Sequence, residues 1–167
     1  MLLLTDYNIY IMSRKEKILY TLMAAIVLYF VGFIFYRSHI LAVMVGVLGI
    51  FYPNMKTKEI IENRKHNLNL QFSDMIYSLS SSLSAGKSVE LAFKDVLKDL
   101  SIIYPNPNTD IIVETEYIIR KIEMNETVES ALLDFAERSH LEDIQNFADV
   151  FQICKRTGGN LNDIIRN

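Results

Sequence analysis

The chain has 167 residues, half of them hydrophobic (50%), a positive mean hydropathy and a net charge of −3. That is material for one domain of ordinary size, and the single cysteine, Cys154, excludes a disulfide framework or a cysteine-rich metal site. Residues 1–65 hold eight basic and four acidic side chains, net +4, so −7 is left for residues 66–167, a poor match for the phosphates of nucleic acid. An acidic balance suits a basic protein surface, and ordinary solubility produces it too.

Residues 1–17 form an N-terminal segment ending in Arg14, Lys15 and Lys17. From Ile18 to Tyr36 the sequence ILYTLMAAIVLYFVGFIFY has no charged residue. Its 19 residues, if helical, span about 28 Å, close to the ~30 Å hydrocarbon core of a bilayer. The run is apolar around its whole circumference, which argues against a soluble hairpin. No small-residue cleavage pattern follows it, which argues against a signal peptide. A second run, ILAVMVGVLGIFY from Ile40, stops at Pro53, and residues to Met55 extend it. Residues 18–55 are therefore expected to be a transmembrane hairpin in contact with membrane lipid. Lys56, Lys58, Arg64 and Lys65 follow it, while the connecting turn has Arg37 and His39 alone. The positive-inside rule then puts both ends in the cytoplasm and the turn at Ser38 outside.

Residues 56–67 read as an exposed helical linker, with Ile60 and Ile61 the large apolar side chains among many charges. Its bases could touch anionic headgroups, though a solvated connector is the plainer reading. Residues 68–167 are expected to form six helices. The first, to Ala85, aligns Leu68, Phe72, Met75, Ile76, Leu79 and Leu83. The second starts at Ser88 and aligns Val89, Ala92, Phe93, Val96, Leu97 and Leu100, with Glu90 in its first turn, where the dipole favours a carboxylate. Tyr104-Pro-Asn-Pro-Asn108 is a loop, because neither proline lets its predecessor adopt an easy helical conformation.

The third helix, Thr109 to Met124, carries Ile111, Ile112, Ile118, Ile119 and Ile122. The β-branched run at its start would also suit a strand, but the helical spacing continues to Ile122. The fourth runs from Thr127 to Arg138 through Val128, Ala131, Leu132, Phe135 and Ala136. Ser139-His-Leu-Glu142 has the form of a capping box, so a fifth helix is expected over His140–Arg156, with Leu141, Ile144, Phe147, Ala148 and Phe151 inward. A sixth would start at Asn160. Two turns are few for a last helix, which raises the expectation of a fragment whose missing part could hold further spans.

Three segments repeat one pattern. LSAGKSVELAF (Leu83–Phe93), IEMNETVESALL from Ile122 and KRTGGNLNDII from Lys155 each place a residue tolerant of positive φ (Gly86, Asn125, Gly158) two positions before a capping oxygen (Ser88, Thr127, Asn160). The copies lie 39 and 33 residues apart, so this part reads as a train of paired helices.

Signals of chemistry are few. Gly158-Gly159 lacks the Gly-Lys-Ser/Thr of a phosphate loop and follows no strand, which leaves a helix C-cap. His39, His66 and His140 are scattered, with no neighbouring carboxylate or cysteine suited to a metal or a general base. Ser78, Ser80, Ser81, Ser82 and Ser84 could include a nucleophile, but small residues on a helix more often serve packing or meet solvent. Cys154, at helical spacing from Phe147 and Phe151, reads as a small core residue. Glu137, Arg138, Lys155 and Arg156 flank the turns and could form a docking surface or a solvated rim.

Taken in order, LSAGKSVELAF, NETVESALLDFAER and FQICKRTGGNLNDII resemble the cytoplasmic domain of the type II secretion system F family, over roughly residues 68–167. The family includes platform proteins of type IV and tight-adherence (Tad) pili, and two spans ahead of the domain look most like the Tad arrangement. Asn125 stands where the family has glycine, and the family's C-terminal spans are absent. The resemblance implies a non-enzymatic six-helix antiparallel bundle under a bacterial or archaeal cytoplasmic membrane, with no cofactor. It also implies a homo- or hetero-oligomer that couples a cytoplasmic secretion ATPase to pilin-like subunits. A membrane-tethered adaptor in signalling is the rival expectation.

Overall fold

The computed structural model describes residues 6–157. The protein is all-α, with no strand among the described residues. In chain order come α1 (Arg14–Tyr36), α2 (His39–Val47), a 3-10 turn (Leu48–Phe51), α3 (Tyr52–Ser84), α4 (Val89–Ile103), α5 (Asp110–Glu123), α6 (Val128–Ser139) and α7 (Glu142–Thr157). The expected sixth helix of the C-terminal part, from Asn160, lies outside the described residues, as do Gly158 and Gly159. Contacts divide the chain into two compact units. One is Ile9–Asn63, and the other joins the residues up to Asn8 with those from Arg64 onward.

In the Ile9–Asn63 unit, Glu16 Oε2 accepts the Ser13 N–H at 3.0 Å and so occupies one of the unpaired donors where α1 begins. Arg37 closes α1 in the left-handed conformation, φ 48°, with its N–H on Phe33 O at 2.9 Å. Most large side chains of α1 face outward, Ile34 at 71% and Phe35 at 80% exposure. α1 is long and apolar enough to cross a membrane, and so is the helical run that begins at His39. What α1 does bury is small. A Cβ on Gly49 would lie 2.8 Å from the Ala25 nitrogen, and one on Gly32 would lie 3.1 Å from the Ala42 Cα. Backbones this close require residues without a side chain, the means by which helices pair where apolar burial gives no drive.

Gly49→Val is therefore expected to force α1 and the 3-10 turn apart, at a cost of about 1–3 kcal/mol. Thermal unfolding in detergent micelles checks it, with Ile50→Val at an exposed neighbouring site expected to leave the midpoint nearly unchanged.

Pro53 does not end helical structure. It lies in the first turn of α3, where a missing N–H costs nothing, just after the 3-10 turn. The expected linker and the first expected helix of the C-terminal part are consequently one helix of 33 residues, Tyr52–Ser84.

The second unit is built on the stripes that helical spacing defines. Leu68, Phe72, Met75, Leu79 and Leu83 of α3 are buried with Phe93, Val96 and Leu100 of α4. Ile111 and Ile118 of α5, Leu132 and Phe135 of α6, and Ile144 and Phe151 of α7 complete the same core. Ile76, Val89, Leu97, Ile122, Leu141 and Phe147 pack at its edge, half-buried. Phe72 meets Phe135 and Phe147 edge-on, with centroids 6.2 and 5.6 Å apart. Cys154 is buried.

The proline loop joins α4 to α5. Asn106 organises it by accepting the Asn108 N–H on its side chain and the Thr109 N–H on its carbonyl, both at 3.0 Å. Tyr104 anchors the loop to α3 by donating to Asp74 Oδ2 at 2.5 Å, and burial followed by that carboxylate pushes its phenol up to about 12.

One expected helix start is corrected. Ser139 is the last residue of α6, fully buried, and His140 after it is left-handed, φ 51°, so α7 begins at Glu142 and not at His140. The Ser139 hydroxyl turns back to Ala136 O at 2.9 Å and takes the Leu141 N–H at 3.3 Å. Ser139 therefore closes α6 and does not cap α7.

Candidate functional site

The most constrained polar site in the second unit begins with the apolar stripe of α5. Ile111, Ile112, Ile118 and Ile119 put that face into the core, and Glu114 and Thr115 lie on it between them. Thr115 satisfies itself by donating to Ile111 O at 2.7 Å. Glu114, 1% exposed, requires an outside partner, since an unpaired buried carboxylate is very costly. Arg138, near the end of α6, supplies two parallel bonds, Nη1 to Oε1 and Nη2 to Oε2, each 2.6 Å. Its guanidinium also lies 5.4 Å from the centroid of the Tyr117 ring and 3.5 Å from Asp134 Oδ1. Burial opposes the Arg138 charge, and the Glu114 carboxylate more than restores it, holding the group above its ordinary range.

The third member comes from the far end of the chain. Tyr7, 2% exposed, donates its hydroxyl to Glu114 Oε1 at 2.8 Å, and its backbone N–H goes to Arg138 O at 3.0 Å. Arg64 of α3 covers the Tyr7 ring with its guanidinium 4.8 Å from the centroid. Arg64 is itself held by Asp110 at the start of α5, through bonds of 3.0 and 2.6 Å. Burial, reinforced by the carboxylates of Glu114 and Asp110, pushes the Tyr7 phenol far above its usual range, so it stays protonated and a donor. Asp6 lies 3.4 Å from His140 Nε2, and Lys65 donates to Asn8 Oδ1 at 2.9 Å.

This arrangement neutralises its own charges in pairs and leaves no activated nucleophile facing a base. It is suited to holding segments together. Sequence reasoning missed all of it. The signal for Glu114 was present, a carboxylate three residues after Ile111 and four before Ile118 on an otherwise apolar face. Tyr7 had none, because its partner is 107 residues away.

The turn residues are placed as follows. Gly86 has φ +80° and Asn125 φ 64°. Ser88 caps α4 by accepting the Leu91 N–H at 3.3 Å, and Thr127 caps α6 by accepting the Ser130 N–H at 3.2 Å. The two turns share a left-handed residue two places before a hydroxyl cap. Of the candidate contact residues, Glu137, Lys155 and Arg156 are exposed. Arg138 faces inward on Glu114, and Lys155 pairs with Glu129 at 2.9 Å, tying α7 to α6. The four do not form one free patch.

Burial pushes the Glu129 carboxyl up, but bonds from Lys155, its own backbone N–H and Thr127 outweigh this and hold it below the usual range. A depressed folded-state value contributes stability above the unfolded-state value, about 4.3, and loses it as pH falls through the folded one. Glu129→Gln should thus lower the melting temperature at pH 7, with the difference from the native chain vanishing as the pH falls below the depressed folded-state value. Paired melts across that range check it.

Ser78 and Ser82 are buried, and Ser78 donates to Asp99 of α4 at 2.5 Å, fastening α3 to α4. Among the described residues no group of three or more His, Cys, Asp or Glu side chains is placed to hold a metal ion. His39 contacts Tyr29 at 3.0 Å, and His66 is exposed on α3. Comparison with protein-family models, curated proteins and solved structures returned no match.

Proposed function

We propose that the protein is a platform component of a type II secretion, type IV pilus or Tad pilus assembly machine in the cytoplasmic membrane of a bacterium or archaeon. In this reading the Ile9–Asn63 unit is a two-span hairpin, and the helices from Arg64 onward are a cytoplasmic bundle engaging a secretion ATPase and pilin-like subunits. The protein moves force and makes or breaks no bonds. The observation that carries the reading is the shared geometry of the turns at Gly86–Ser88 and Asn125–Thr127, the features on which the resemblance rests. Two helices of spanning length and a well-packed helical core are consistent with it.

The experiment is co-purification of the full chain, in detergent, with the secretion ATPase of its own cell. Residues from Asn67 onward are not a suitable fragment, because they lack Arg64, which holds Asp110 at the start of α5. Capture of the ATPase, weakened by Glu137→Lys with Arg156→Glu, is the expected result. Reversing Arg138 or Lys155 would disturb internal pairs instead. Failure to capture the ATPase, with loss of the gene leaving filaments and secretion intact, would reject the function.

A further inference from the structure

We infer that the helical unit contains a preformed slot for a tyrosine on an extended peptide, and that the N-terminal segment around Tyr7 is its releasable, built-in ligand. Three features make the slot specific. Glu114 accepts the phenol, Arg138 O accepts the backbone N–H of the same residue, and the Arg64 guanidinium covers the ring. The slot does not need its ligand to balance its charges. Both bonds from Arg138 to Glu114 and both from Arg64 to Asp110 are made without Tyr7. An empty slot therefore leaves no orphaned ion, and vacating it avoids the large penalty of an unpaired buried charge.

Among the described residues of the segment Tyr7 is the one buried anchor, and Asp6 near His140 and Asn8 on Lys65 add exposed polar contacts. From residue 6 to residue 13 Tyr7 alone is buried, while Asn8 is exposed, Ile9 is 59% exposed and Ile11 88%. Residues 9–13 form no helix, and of these Ser13 alone is bonded into the start of α1, through Glu16 and Lys17. One aromatic anchor set against the entropy of ordering its neighbours gives a closely balanced attachment. Its position gives release a consequence. Asn8 and Lys65 bond each other where the chain leaves this unit and where it returns. Release of Tyr7 would thus part the two stretches of this unit, residues 6–8 and the part of α3 from Arg64, that Asn8 and Lys65 hold together. The inference does not depend on the partner proposed above.

The test uses the chain lacking residues 1–8, in detergent, titrated with a fluorescein-labelled peptide of residues 4–12. Saturable binding is expected, abolished by a Tyr7→Ala peptide and weakened about tenfold or more by a Tyr7→Phe peptide or by Glu114→Gln in the receptor. The intact chain, its slot filled, should take up little peptide. Binding that ignores both changes, or none to a receptor still helical by circular dichroism, overturns the slot. If the shortened chain does not fold, hydrogen exchange on the full chain decides. The Tyr7 amide should be protected yet exchange at least tenfold faster than the amides of Leu132 and Phe135. No protection would mean Tyr7 is not seated, and exchange at the core rate would mean it cannot leave; either result overturns the latch.

Discussion

Glu114→Ala is expected to lower the unfolding free energy by about 3–5 kcal/mol, the usual result of removing one partner of a buried ion pair. The loss has two sources. Arg138, whose side chain is 15% exposed, keeps its charge but loses both short bonds, and its remaining contacts are a 3.5 Å approach to Asp134 and the face of Tyr117. The Tyr7 hydroxyl loses its acceptor in a site where water cannot easily replace it. Combining Glu114→Met with Arg138→Met should recover much of the loss, because apolar side chains of similar volume remove both charges together. Denaturant unfolding followed by helical circular dichroism checks both variants. A cost near zero for the single change would mean that Glu114 is solvated.

Phe135→Ala is the second large effect, about 3–5 kcal/mol, from lost transfer energy and the cavity left behind. Phe135 is fully buried and meets the edge of Phe72, which in turn meets Phe147. Rigid helices on all sides limit how far the space can collapse. Ile102→Ala, at a site 79% exposed on α4, should change stability by less than about 0.5 kcal/mol. Melting curves of the two variants beside the native chain give the comparison directly.

Much of the fold was legible because the sequence repeats local rules. The stripe from Leu68 to Leu83 and that from Val128 to Ala136 are core because a 3.6-residue period puts them on one face, whatever lies opposite. The proline loop was legible from the restriction proline places on its predecessor. The start of α7 was misread because Ser139-His-Leu-Glu142 satisfies the pattern of a capping box, while the competing fact, burial of Ser139 in the end of α6, depends on packing. The unbroken course of Tyr52–Ser84 was not legible, because the change from apolar to charged residues after Met55 marks a change of surroundings and not a change of backbone. The Tyr7, Glu114 and Arg138 site was illegible for a deeper reason. Each bond in it joins distant segments, and periodicity carries no information about which polar residue on one stripe meets which on another. Arg138 was counted among surface charges for that reason.

The same site changes what the N-terminal segment is. In the sequence it is a short lead into α1, with Arg14, Lys15 and Lys17 as its informative residues. In the structure Tyr7 makes it part of the helical core. The latch and the function fail separately, one by peptide binding and exchange, the other by ATPase capture.

The proposed topology, two spans with both ends and the helical unit in the cytoplasm, is tested most directly by single-cysteine labelling of intact cells. In a Cys154→Ser background, a membrane-impermeant maleimide should label Ser38→Cys from outside, and should reach Ser13→Cys and Ser101→Cys after the membrane is opened and not before. Labelling of Ser101→Cys in unbroken cells, or recovery of the chain in the soluble fraction, would contradict it.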